Sequence, residues 1–147
     1  MSAPVVFQDE SLLALVGDGR TRVGIDIVQI SRIADSLSQF GDRFTQRLFT
    51  STELADVAAR LAPGLAECFA AKEAALKALD LCEAGIDWRE MEVRRLADGT
   101  CRLQLHGKAA ELAGVSSDGI ALSLSQDGHH AMAVVTAASS FLPSPKQ

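Results

Sequence analysis

Two carboxylates stand where the hydrophobic pattern asks for apolar side chains. Glu73 lies in AECFAAKEAALKALD (66–80), four residues after Phe69 and three before Leu76, in a stretch that reads as a helix from about Leu65 to Leu79. Asp26 lies in RVGIDIV (22–28), which alternates as a strand: Val23, Ile25 and Ile27 on one face, Gly24, Asp26 and Val28 on the other. An unpaired carboxylate is costly to bury, so each acid must meet water, a cation or hydrogen-bond donors. Converging, the two suit a hard divalent ion, because Mg2+ takes a couple of carboxylates, keeps several waters and shares its shell with substrate phosphates. Lys72 and Lys77, on either side of Glu73, then suit phosphate oxygens as mobile point charges. The residue types also allow a plainer reading. Glu73 four residues before Lys77 is the favoured orientation of a helix ion pair worth about 0.2–0.5 kcal/mol, and Asp26 could cap a neighbouring helix.

A strand and a long helix are needed to hold these groups, and the rest of the pattern supplies their surroundings. SRIADSLSQFG reads as a helix, with Ile33, Leu37 and Phe40 on one face and Ser31 as its cap. DRFTQRLF reads as a short helix. TSTELADVAARLA opens on a capping signal and stops at Pro63-Gly64. EMEVRRL and CRLQLHG flank Asp98-Gly99 as a hairpin, GKAAELAG is a small helix, and GIALSLSQ and HAMAVVTA form a second hairpin. Helices early and strands late give an α+β domain. Its expected extent is 21–138, between an N-terminal extension (1–20) with a short amphipathic helix around ESLLALVG and a flexible tail (139–147).

Composition narrows the function classes. A length of 147 residues fits one domain. No run approaches the roughly 18 apolar residues of a membrane span, and the N-terminus lacks a secretory pattern, so a cytoplasmic protein is expected. Cys68, Cys82 and Cys101 share no metal-ligand spacing and read as reduced thiols. A net charge of −5 and no tyrosine argue against nucleic-acid binding. An acidic protein partner would need a local basic patch.

At the level of motifs, VGIDIVQISRI followed by FAAKEAALKAL resembles the two signature blocks of the holo-[acyl-carrier-protein] synthases, the small bacterial class of 4′-phosphopantetheinyl transferases. DRFTQRLFTSTEL between them, and GKAAELAG…IALSLSQDGHHAMAVV after them, resemble further family segments in the same order, over roughly 22–138. The resemblance implies transfer of the phosphopantetheine arm of coenzyme A to a serine of an apo acyl carrier protein or carrier domain, releasing 3′,5′-ADP. It implies an antiparallel sheet packed with one long helix and several short ones, assembled as a homotrimer. By motif, Asp26 and Glu73 become magnesium ligands, and Glu73, or a water on the ion that it orients, the proton acceptor. Lys72 and Lys77 fall at the cofactor and the reacting phosphate. Arg32, Arg43, Phe44 and Arg47 form the surface that docks the acidic carrier.

The match departs from the family pattern on the cofactor side. Cys68 replaces an arginine, DLCEAGI (80–86) replaces a Gly-Thr-Gly-Ile turn, and Gln126 replaces a histidine, leaving a cofactor contact that can hydrogen-bond but carries no charge. Two readings stay open: an active, divergent transferase, and a carrier-binding module on the same fold that no longer transfers. Asp26, Glu73, Lys72 and Lys77 favour the first, because a binder needs only the arginine surface.

Overall fold

The computed structural model describes residues 21–138. The expectations for 1–20 and 139–147 lie outside the described residues. Strand β1 (Thr21–Gln29) is followed by helices α1 (Ile30–Phe40), α2 (Asp42–Leu48), α3 (Ser51–Asp56) and the long α4 (Leu61–Ala78). Then come β2 (Met91–Arg95), β3 (Cys101–Leu105), the short α5 (Gly107–Leu112), β4 (Ile120–Gln126) and β5 (His130–Ala138). Every connection between paired strands is antiparallel: β1-β5-β4 form one sheet and β2-β3 a two-stranded ribbon. The α+β reading therefore holds, with both late hairpins in place.

The three-stranded sheet presents small residues to α4. Gly24 and Val28 of β1 and Ala131, Ala133, Val135 and Ala137 of β5 are all buried. They meet a helix face built from Ala70, Ala71, Ala74, Ala75 and Ala78, so helix and sheet approach closely. The ribbon closes the core with Met91, Val93, Leu103 and Leu105. The opposite face of β1 stays uncovered: Val23, Ile25 and Ile27 are 56%, 51% and 59% exposed.

Three local expectations are corrected. Helix α4 begins at Leu61 rather than near Leu65, because Pro63 sits in the first turn, where its missing N–H costs nothing. The preceding helix is shorter than TSTELADVAARLA suggests. It stops at Asp56 and gives way to a 3-10 turn over Ala58–Arg60. Ser31 is no cap: α1 starts at Ile30, whose N–H donates to the carbonyl of His129 in the β4–β5 turn (2.9 Å). At the other end of α4, Asp80 adopts the left-handed conformation (φ 56°) and Leu81 N–H donates back to Leu76 O (2.9 Å). This is the terminator geometry usually given to glycine, and Asp is among the few residues that tolerate it.

Candidate active site

The site starts from a missing side chain. A β-carbon on Gly24 would run into the carbonyl oxygen of Ala74 and stand 2.8 Å from the Ala78 amide nitrogen. Gly24 is therefore what lets β1 lie directly against α4. Two residues along the same strand face comes Asp26. On the helix beside it stands Lys77, whose Nζ donates to Asp26 Oδ1 (3.1 Å) and to the Ile25 carbonyl (3.0 Å). One turn earlier on α4, Glu73 lines with Asp26 a cavity of about 450 Å3, walled also by Gln29, Arg32, Phe44 and Phe69. The two acids and Lys77 thus converge.

Burial pushes the Glu73 carboxyl above its ordinary range, the neighbouring Asp26 charge raises it further, and the Lys77 ammonium offsets part of this. The Glu73 side chain makes no hydrogen bond or ion pair among the described residues. The same holds for Arg32 on the cavity wall and for Arg43 and Arg47 on α2. Phe40, Arg43, Phe44, Arg47 and Leu48 line an adjoining cavity of about 420 Å3. Phe44 belongs to both, so the arginine surface opens onto the acids.

Lys72, expected at the cofactor, is held away from the acid cavity. Its side chain is 0% exposed, and its Nζ donates to Leu48 O (2.7 Å), Glu53 Oε1 (2.7 Å) and Trp88 O (2.9 Å). One residue before Glu73 on a helix turns the side chain about 100° away, into the core rather than toward a cofactor. Gln126 also lies apart from the acid cavity. Its Nε2 donates to Glu67 Oε1 (2.8 Å), and Glu67 accepts in addition from Arg60 Nη1 (3.0 Å) and Arg95 Nη2 (2.9 Å). Burial works to raise the Glu67 carboxyl, but the hydrogen bonds and charges of Arg60 and Arg95 outweigh it and hold the group below the usual carboxylate range. Cys68, beside this cluster, is buried, and burial pushes its thiol up to about 12. Charge at this end of α4 therefore comes from Arg60 and Arg95 rather than from position 68. Neither they nor Glu67 was singled out in the sequence, and nothing in their spacing links β2 to α4.

The histidines after the second hairpin turn keep an ordinary role. The N–H groups of His129 and His130 donate to Asp127 Oδ1 at 2.8 and 2.6 Å. In the altered turn after α4, Lys108 Nζ donates to Ala84 O (2.6 Å), placing a cation beside Gly85.

A family model described as the 4′-phosphopantetheinyl transferase superfamily matches residues 22–135. A holo-[acyl-carrier-protein] synthase of Koribacter versatilis is 40% identical over 116 residues, 76% of this chain and 93% of its own length. One from Methylobacterium nodulans is 48% identical over 101 residues, 66% of this chain and 76% of its own. Among solved structures, an ACPS–CoA complex from Chronobacterium ammoniagenes superposes with TM-score 0.69 at 29% identity, over 80% of this chain and 96% of that one. The Helicobacter pylori holo-[acyl-carrier-protein] synthase in complex with coenzyme A gives 0.69 at 26% identity, over 77% and 96%.

Proposed function

This chain belongs to the 4′-phosphopantetheinyl transferase superfamily, and we infer that Asp26, Glu73 and Lys77 carry the transfer chemistry. The enzyme moves the 4′-phosphopantetheine group of coenzyme A onto a serine of an apo acyl carrier protein and releases 3′,5′-ADP. The observation that supports the residue assignment is the meeting of two acids from a strand and a helix in one cavity, with Lys77 bonded to one of them.

The acid pair fits a divalent ion. Asp26 has one cationic partner, the Glu73 carboxylate has no donor among the described residues, and the Asp26 charge makes Glu73 harder to keep charged. No group of three or more metal-ligating side chains occurs among the described residues. Two carboxylates with room for waters and phosphate oxygens are what Mg2+ takes. Asp26 and Glu73 would hold it, and the ion, when bound, neutralises charge on the pyrophosphate under attack.

The chain's own groups do the rest. The serine oxygen bonds to the phosphorus that carries pantetheine, and the bond from that phosphorus to the ADP oxygen breaks. Glu73, or a water that it orients, takes the serine proton. Lys77, half-exposed on a long stem, can turn from Asp26 toward the phosphate oxygens. Arg32, Arg43 and Arg47 attract the acidic carrier while Phe44 supplies an apolar anchor between docking surface and acids. Gln126, with Arg60 and Arg95 beside it, offers donors to the far end of coenzyme A.

A homotrimer is the assembly proposed. The uncovered β1 face of Val23, Ile25 and Ile27 continues into Met132 of β5, a contiguous apolar strip that a second copy would bury. No helix among the described residues is long and apolar enough to cross a membrane. A cytoplasmic location follows from coenzyme A as donor and is supported by three cysteines in thiol form. A carrier-binding module without transfer would need only the arginine surface and leaves the acid pair without a role. The test is chromatographic: coenzyme A, apo carrier protein, Mg2+ and this chain must yield 3′,5′-ADP, and a chelator must stop it. No nucleotide release with any of several carriers would contradict the assignment.

A further inference from the structure

Lys72 is buried, and its three ammonium protons are all used, on Leu48 O, Glu53 Oε1 and Trp88 O. The three acceptors come from different elements. Leu48 ends α2, Glu53 lies in α3, and Trp88 begins the 3-10 turn before β2. Glu53 is fixed from its other sides, accepting from the N–H groups of Thr50 (2.9 Å) and Val93 (2.9 Å). The Phe49 ring lies 5.3 Å from the ammonium and seals it from solvent. Nothing of this network reaches a ligand.

As a source of stability such a pair is weak, since burying two charges is costly and packed apolar side chains often hold a fold as well. What the charges provide is register. Three short bonds from one ammonium tie the end of α2, α3 and the 3-10 turn before β2 to α4, one residue before Glu73. Helix α2 carries Arg43, Phe44 and Arg47, and α4 carries the acid. We propose that Lys72 is a positioning residue, whose buried tether to Leu48, Glu53 and Trp88 holds the carrier-docking helix in register with Glu73 so that the docked serine meets it in line. The proposal rests on the transferase reading given above, and it assigns Lys72 no contact with coenzyme A.

The experiment compares wild type, Lys72→Met and the double variant Lys72→Met/Glu53→Gln. Each is followed by thermal melting, by affinity for apo carrier protein without coenzyme A or Mg2+, and by steady-state kinetics. Transfer by the wild-type chain tests the activity itself; the variants test the tether alone. Lys72→Met leaves Glu53 buried without its cation and melts lower, whereas the double variant removes both charges and regains most of the melting temperature. The tether predicts that the double variant still binds carrier within about threefold of wild type but turns over about 30- to 100-fold more slowly, since misplacement by roughly 1 Å costs about 100-fold. Its KM for coenzyme A stays unchanged. Recovery of kcat together with stability would overturn the proposal, leaving Lys72 to hold the fold only. A raised KM for coenzyme A at unchanged kcat would overturn it too. Glu53→Gln alone, which keeps Lys72 and its two carbonyl acceptors, carries the same split at about three- to tenfold in kcat and decides the matter if the Lys72 variants do not fold.

Discussion

Gly24→Ala tests how the acids are brought together. Ordinary van der Waals contact begins near 3.4 Å, and the new methyl would stand 2.8 Å from the Ala78 nitrogen and closer still to the Ala74 carbonyl. The Ala78 nitrogen alone asks α4 to retreat from β1 by roughly 0.6 Å and the Ala74 carbonyl asks for more, because the obstacles are helix backbone that no rotamer change can move. Overpacking of this kind costs about 1–3 kcal/mol, and rigid obstacles put Gly24→Ala near the upper end. At about 2–4 °C per kcal/mol for a chain of this size, the melting temperature falls by about 6–12 °C. The same retreat lengthens the Lys77–Asp26 bond and parts Asp26 from Glu73, so kcat falls about tenfold to 100-fold even at temperatures where the variant is folded. Gly64→Ala is the control. Its methyl meets the Val57 side chain, 2.6 Å from Cγ1, so it destabilises α4 away from the acids. That variant should lose stability and keep its kcat. Melting curves and initial rates on both variants decide the matter. Full activity in a folded Gly24→Ala, or equal loss of kcat in both, would refute the idea that this contact positions the pair.

Other consequences follow from single groups. The Glu67 carboxyl is held below its ordinary range in the folded chain, so its contribution to stability is complete above the unfolded value near 4.5 and is lost as pH falls through the lower folded value. Glu67→Gln should flatten denaturant-derived stability over that acid window and lower it near neutrality by about 1.5–3 kcal/mol, the worth of hydrogen bonds to a charged group; an unchanged acid limb would contradict this. Cys82 is exposed and should react with a thiol reagent at pH 8, whereas buried Cys68, with its thiol pushed up to about 12, should react only on unfolding. Labelling followed by peptide mass mapping checks both. Charge reversal at Arg43 and Arg47 together should slow carrier association by about tenfold or more at low salt and little at high salt, read from association rates at several ionic strengths.

Periodicity and turn chemistry made the elements legible. The alternation of RVGIDIV, the two hairpin signals and the apolar run of α4 each became the expected element. Asp26 and Glu73 stand out in the sequence because each breaks its element's pattern, and the roles proposed for them come from the motif resemblance. What stayed hidden depends on contacts distant in the chain. Lys72 has the same residue type and nearly the same position as Lys77, yet it turns inward to Glu53 and two backbone carbonyls that no spacing rule connects. Glu67, Arg60, Arg95 and Gln126 come from four elements and meet only once the sheet and ribbon close. The start of α4 was misread because Pro63-Gly64 is a breaker inside a helix and harmless in its first turn.

The measurement that bears most directly on the account is the intact mass of an apo acyl carrier protein after mixing with coenzyme A, Mg2+ and this chain, with Glu73→Ala run in parallel. The account predicts a gain of one phosphopantetheine with wild type and none with the variant, while both chains bind the carrier alike. An equal gain with Glu73→Ala would contradict the central role given to the acid pair.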